Sequence, residues 1–214
     1  MTSTSTPSTT TTGTTTTNAT TATGAPAPTV RNGVPVDKLF GTINKVTDDP
    51  SLAAFRFTAK NQWLEGTASR STIHEWSGAG GDHVHVCEFS FDADHPTLGH
   101  GYGPTPQEYV LHALAGCITA GVATTAAARR VALTKVTSTV VGKIDVRGVL
   151  GIDKAVRKGF SDITMEITVE GDADDDTLRA LVDGSQTHSA VYDMLTAATP
   201  VNIDVTTAPV DPTG

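Results

Sequence analysis

Cysteine is scarce in this chain: 214 residues carry only Cys87 and Cys117. Two cysteines exclude a disulfide-stapled scaffold and a four-cysteine zinc module, and leave room for one reactive thiol. Positive charge is also short, with 15 Lys and Arg against 23 Asp and Glu and a net charge of -8. That balance argues against a general nucleic-acid binder and against docking on an anionic membrane, because both need clustered cations. No stretch of about 18 apolar residues reads as a transmembrane span. Aromatic residues make up 5% of the chain, and the first 29 residues contain none. The length suits one medium domain with an appended tail.

The tail is conspicuous. Met1 to Thr29 is almost wholly Thr, Ser, Ala, Pro, Gly and Asn, and no charge appears before Arg31. Such a segment cannot bury enough surface to offset its ordering entropy, so disorder is expected. It lacks the basic start and apolar centre of a signal peptide. The Asn18-Ala19-Thr20 sequon would matter only in a eukaryotic secretory setting, and a cytoplasmic location is expected instead. The domain plan is a disordered tail over 1–33, a linker or entry segment over 34–56, a folded domain over 57–207 and a short tail over 208–214.

Within the folded part, residues 55–64, 71–76 and 83–91 read as strands. In the third, His83, His85, Cys87, Phe89 and Phe91 share one face. Residues 92–103 form a Gly-, Pro- and His-rich loop. A helix then opens with Thr105 as N-cap, Pro106 at the first position and Glu108 completing a capping box. Val110, Leu114, Cys117, Ile118, Gly121, Val122 and Thr125 recur on one broad face, and the helix ends near Arg129 and Arg130. Strands follow over 137–146 and 160–170, the second with Ile163, Met165, Ile167 and Val169 inward. Asp174 to Asp176 open another helix, which breaks near His188-Ser189 and resumes through Ala197; residues 200–205 make a final strand. Strands, helix, strands, helix, strand is an α+β order rather than repeated βαβ units.

Cys117 holds the most chemical information. A helical cysteine serves either as a small hydrophobe or as a nucleophile. Cys117 lies twelve residues beyond the N-cap, about 18 Å along the axis, so its own helix dipole cannot activate it. A reactive Cys117 therefore calls for an arginine or histidine from elsewhere in the fold or from a partner chain. His112 lies about 140° around the helix from it and is poorly placed. A second cluster, His83-x-His85-x-Cys87, sets three potential zinc or copper ligands two residues apart, or else lines a partly buried sheet face. Ser189, His188 and Asp193 lack the Gly-x-Ser-x-Gly turn of a hydrolase. No phosphate-binding glycine loop or dinucleotide fingerprint appears.

The stretch Gly103-Pro104-Thr105-Pro106-Gln107-Glu108-Tyr109-Val110-Leu111-His112-Ala113-Leu114-Ala115-Gly116-Cys117 resembles the cysteine helix of the OsmC/Ohr family. Asp145 to Gly159 is similar to a strand and loop of one branch, and His188 to Val205 to the closing helix and strand. The resemblance spans roughly Phe57 to Val205. It implies an OsmC-like fold, with curved antiparallel sheets around two central helices, in an intertwined homodimer with active sites at the subunit interface. For the peroxidase branches it implies reduction of organic hydroperoxides without any cofactor, through a peroxidatic thiolate that becomes a sulfenic acid and is captured by a second cysteine.

Carried onto this chain, Cys117 is the peroxidatic position. The family's orienting glutamate falls at Gln107, and its second cysteine at Ser189, which has a sufficient role as a helix N-cap. Arg70 is the counterpart of the thiolate-stabilising arginine. His188, beside Ser189, either faces the site or faces solvent. Glu108 cannot replace Gln107, since 900° of helical rotation sets it opposite Cys117. A chain of this branch needs an external thiol reductant, or Cys87, to resolve Cys117. Two alternatives stand beside the peroxidase: a non-peroxidatic protein binding a small apolar or thiol-containing ligand, and a metal-binding protein using His83, His85 and Cys87.

Overall fold

The computed structural model describes Met1 and residues 29–208. The Thr-rich segment expected to be disordered, its Asn18 sequon and most of the 208–214 tail lie outside the described residues.

A two-stranded ladder, β1 (Val30–Arg31) with β2 (Val34–Pro35), leads into helix α1 (Val36–Asp48). The 34–56 entry segment thus contains a full helix. Asn32 fastens this corner to the domain: its side-chain amide donates to the Val131 carbonyl at 2.9 Å and accepts from the Leu133 N–H at 3.0 Å.

Next come β3 (Arg56–Phe57), β4 (Lys60–Glu65), β5 (Ala68–Gly78) and β6 (Gly81–Ala93). β5 takes the centre of this antiparallel sheet and pairs with β3, β4 and β6. The long β5–β6 pairing is not regular. Ile73 pairs with Phe89 and Glu75 with Val84, so residues 85–88 bulge opposite His74 alone.

Helix α2 (Pro106–Arg129) begins as its sequence dictates. The Thr105 hydroxyl accepts from the Glu108 N–H at 3.3 Å, and the Glu108 carboxylate accepts from the Thr105 N–H at 2.7 Å. That backbone N–H, with the Thr105 hydroxyl, holds the Glu108 carboxyl below its ordinary range. By length and composition α2 could cross a membrane, against the expectation of no such span. Yet Leu114, Ile118, Val122, Ala126 and Ala127 are buried within the domain, so α2 is its core helix.

After α2, β7 (Leu133–Lys143) and β8 (Asp162–Gly171) form a second antiparallel sheet, with α3 (Val146–Val149) in the long connection. Ile163, Met165, Ile167 and Val169 of β8 face the core, with Val136 and Val140 of β7. Helices α4 (Asp175–Thr187) and α5 (Ala190–Thr196) close the domain, and α4 lies against α2. Gly121 permits the close approach: a Cβ there would run into the Ser185 side chain, with Ser185 Cα only 3.3 Å away. Ser185, buried, donates to the Ile118 carbonyl at 2.7 Å.

The strand expected over 200–205 does not form. Val201, Ile203 and Val205 alternate as a strand should, but no sheet edge among the described residues pairs with them, and all three are exposed.

Candidate active site around Cys117

Cys117 sits midway along α2, half-buried. It meets the start of α5. Ser189 is the N-cap of α5: its hydroxyl oxygen accepts from the Tyr192 N–H at 3.1 Å and its hydroxyl proton points at Cys117 Sγ, also at 3.1 Å. The backbone N–H groups of Val191 and Ala190, at the first positions of α5, also favour the charged form of this sulfur.

These groups set the sulfur's acidity. Burial pushes the Cys117 thiol up, while the Ser189 hydroxyl and the Val191 and Ala190 amides pull it down, and the net direction is down. The groups that lower it belong to a different helix than the one carrying the cysteine. Orphan N–H donors at a helix start stabilise an anion, and within this chain they stand where the sequence called for an arginine or histidine.

Arg70 is engaged elsewhere. On β5, it makes a two-pronged pair with Asp92 across the β5–β6 ladder, Nε to Oδ1 at 2.6 Å and Nη2 to Oδ2 at 2.8 Å. Hydrogen bonding to Asp92 raises the Arg70 guanidinium, and the same bond lowers the Asp92 carboxyl. The Tyr109 hydroxyl donates to the Asp92 carbonyl at 2.7 Å, and Tyr109 meets Phe91 edge-on. Arg70 is thereby linked to the first turns of α2, about 12 Å along the axis from Cys117.

Gln107 is exposed in the first turn of α2 and borders a cavity, about 15 Å along the axis from Cys117. His188 turns away from the sulfur: its ring Nδ1 lies 2.8 Å from the Gly184 carbonyl, at the end of α4. Neither cysteine is in a disulfide, and Cys87 is exposed on β6. The contact between β6 and α2 falls at Phe91 and Tyr109 rather than at the two thiols.

The metal reading of His83, His85 and Cys87 fails on geometry. Among the described residues, no three His, Cys, Asp or Glu side chains gather where they could hold a metal ion. The 85–88 bulge breaks the alternation that would have aligned them. The His83 ring stacks on Trp76 with its Nε2 3.0 Å from the Gly78 carbonyl, while His85 packs edge-on against Phe89.

Beside the cysteine lies a cavity of about 870 Å³ between α2, β8, the 144–161 connection, α4 and α5. Leu114, Ile118, Ile163, Met165 and Leu195 supply its apolar wall. Tyr192, whose N–H is capped by Ser189, lines it too, so the α5 turn that holds the sulfur also borders the cavity.

Comparison with known proteins decides the family. The sequence model described as "OsmC-like protein" matches residues 99–204, the segment from the loop before α2 to the chain's last extended stretch. The chain belongs to the OsmC-like family. Its fold is OsmC-like as well: it superposes on an OsmC-like protein from Mycoplasma pneumoniae with a TM-score of 0.52 at 14% identity, covering 67% of this chain and 89% of that one. An OsmC-like protein of unknown function from Vibrio cholerae aligns with a TM-score of 0.47 at 14% identity, over 65% and 92% of the two chains. An OsmC-like hydroperoxide resistance protein from Jannaschia aligns at 0.38 and 12% identity, over 73% and 94%. No curated protein matches the chain.

The OsmC-like assignment agrees with the α+β fold class read from sequence. What the sequence could not reveal was the approach of the α5 N-terminus to the Cys117 sulfur, because backbone amides carry no residue signature. The Ser189 N-cap, legible as such, was the one available pointer.

Proposed function

We propose that this OsmC-like protein is a thiol-dependent peroxidase of the one-cysteine type, acting on organic hydroperoxides through Cys117. The observation that carries the reading is the sulfur's setting: a half-buried thiol receiving the Ser189 hydroxyl at the N-terminus of α5. The Cys117 thiolate attacks the outer oxygen of the hydroperoxide, forming an S–O bond as the O–O bond breaks. The alkoxide leaves, takes a proton and departs as an alcohol, and the sulfur is oxidised to sulfenic acid. Ser189 cannot form a disulfide, so an external thiol attacks the sulfenic acid and releases water. A second thiol then reduces the mixed disulfide, returning Cys117 and leaving an oxidised external disulfide. A reducing cytoplasm would supply such thiols.

Exposed apolar residues support a homodimer as the working form. Phe57, Trp63 and Val86 of the four-stranded sheet and Val201, Ile203 and Val205 of the last segment are all in water in one chain. Large apolar side chains left in water in such number are the kind of surface a partner covers.

A brief pulse of organic hydroperoxide followed by mass spectrometry tests the reading. Cys117 is expected to gain oxygen before Cys87, and dithiothreitol-dependent peroxide consumption to be lost in Cys117→Ser but kept in Cys87→Ser. An unoxidised Cys117 would end the peroxidase reading. The second reading, a non-peroxidatic binder of small apolar ligands, is favoured by the 870 Å³ cavity, whose lining does not include the sulfur.

A further inference from the structure

The cavity beside α2 has a floor and a rim of different character. Leu114 and Ile118 of its lining are buried, and Ile163, Met165 and Ile167 of β8 are half-buried beside them. The exposed lining residues, which form the rim, are mostly polar apart from Pro106 and Val110, and the charged ones among them are Arg157, Lys158 and Asp162. Asp162 is paired with Lys143 at 3.3 Å. Among the described residues neither Arg157 nor Lys158 enters an ion pair or a side-chain hydrogen bond. The rim therefore carries two uncommitted cations over an apolar floor, in a chain whose net charge is -8.

The segment bearing those cations is held against the β7–β8 hairpin. Gly148 lets it pass: a Cβ there would lie 2.6 Å from the Arg157 carbonyl oxygen and 2.7 Å from that of Val156. Phe160 lies over Gly142 of β7 so closely that a Cβ would collide with its ring. The backbone at Arg157 and Lys158 is thus pinned on both sides. A volume of about 870 Å³ lies within the usual range for small-molecule sites, roughly 300–1,000 Å³.

We infer that this cavity binds an amphiphile with an apolar chain and an anionic head, the chain against Leu114, Ile118 and β8 and the head on Arg157 and Lys158. A carboxylate meets a guanidinium and an ammonium at the rim with no acid left unpaired to oppose it. A cationic head meets repulsion there, and a neutral one gains only the apolar contact. The inference rests on the cavity being a ligand site and requires no chemistry at Cys117.

The test is a titration of the full chain with decanoate, decanol and decyltrimethylammonium, in wild type and in the Arg157→Ala/Lys158→Ala double variant, at low and high salt. Cys117→Ser serves as a control and should bind as wild type does, so a failed peroxidase would leave this result untouched. Decanoate is expected to bind roughly tenfold tighter than decanol, with the ammonium weakest and with salt narrowing the gap. Dodecanoate should bind about tenfold tighter again, from two more buried methylenes. The double variant should lose the preference while keeping its affinity for decanol. Decanol and decanoate binding alike would overturn the anionic head and leave an apolar ligand site. Preference retained in the double variant would overturn the roles of Arg157 and Lys158. No binding by any of these amphiphiles, or binding only as a dimer dissociates, would overturn the ligand site itself and make the cavity a seat for a second chain.

Discussion

Asp94 organises a whole loop through one carboxylate. It is buried where β6 gives way to the segment before α2. Its Oδ1 accepts from the Thr67 hydroxyl and the His95 N–H, both at 2.7 Å; its Oδ2 accepts from the N–H groups of His100 at 2.8 Å and Tyr102 at 3.3 Å. The Thr67 hydroxyl outweighs the burial that opposes it, and with the loop amides it holds the Asp94 carboxyl far below the ordinary range. A depressed carboxyl stabilises the fold above its unfolded value near 4 and loses that contribution as pH falls toward its folded value. We expect wild-type Tm to fall through the acid range, and Asp94→Asn to start lower by several degrees at pH 7 and to fall less on acidification. Thermal unfolding followed by circular dichroism between pH 7 and 3 measures both slopes; equal slopes would remove Asp94 from the account. Nothing in the sequence singled out Asp94, since an aspartate in a Gly- and His-rich loop looks like any solvated one. Ser189 was half legible: its N-cap role follows from the break after His188, but not the 3.1 Å approach to a sulfur 72 residues earlier.

At the scale of elements, the long ones announce themselves. The capping box and the apolar face of α2, the alternation of β8, and the acidic start of α4 at its N-cap Asp174 all follow from local sequence. The weaker signals misled in two directions. Val36, Leu39, Phe40, Ile43 and Val46 have helical spacing, and α1 forms there. That helix was hidden because the segment stands between a Pro-bearing turn and Pro50, and so reads as an entry linker. Conversely, β6 looks like one even strand, yet its 85–88 bulge scatters His83, His85 and Cys87. Alternation gives a strand its faces only while its partner stays in register. Residues 200–205 carry the alternation of a strand without an edge to pair with, and edge availability is a property of the assembled sheet.

At the scale of the whole molecule, one chain leaves large apolar side chains in water. Its four-stranded sheet leaves Trp63 69% exposed and its last segment leaves Ile203 82% exposed. Burying such surfaces against a second copy would remove the open edge and the wet apolar face together. Sedimentation equilibrium should give twice the chain mass of 22.2 kDa, and a monomer at micromolar concentration would contradict the homodimer. The central feature lies within one chain, however: two helices meet so that the start of α5 favours the charged form of the sulfur of α2. The pH dependence of Cys117 alkylation tests this most directly, read site by site by mass spectrometry with Cys87 as the exposed reference thiol. The account predicts that Cys117 titrates below an ordinary cysteine and that Ser189→Ala moves it upward, with about 1 kcal/mol of stability lost along with the α5 cap. A Cys117 that titrates at or above the ordinary thiol value, or that ignores Ser189→Ala, would contradict it.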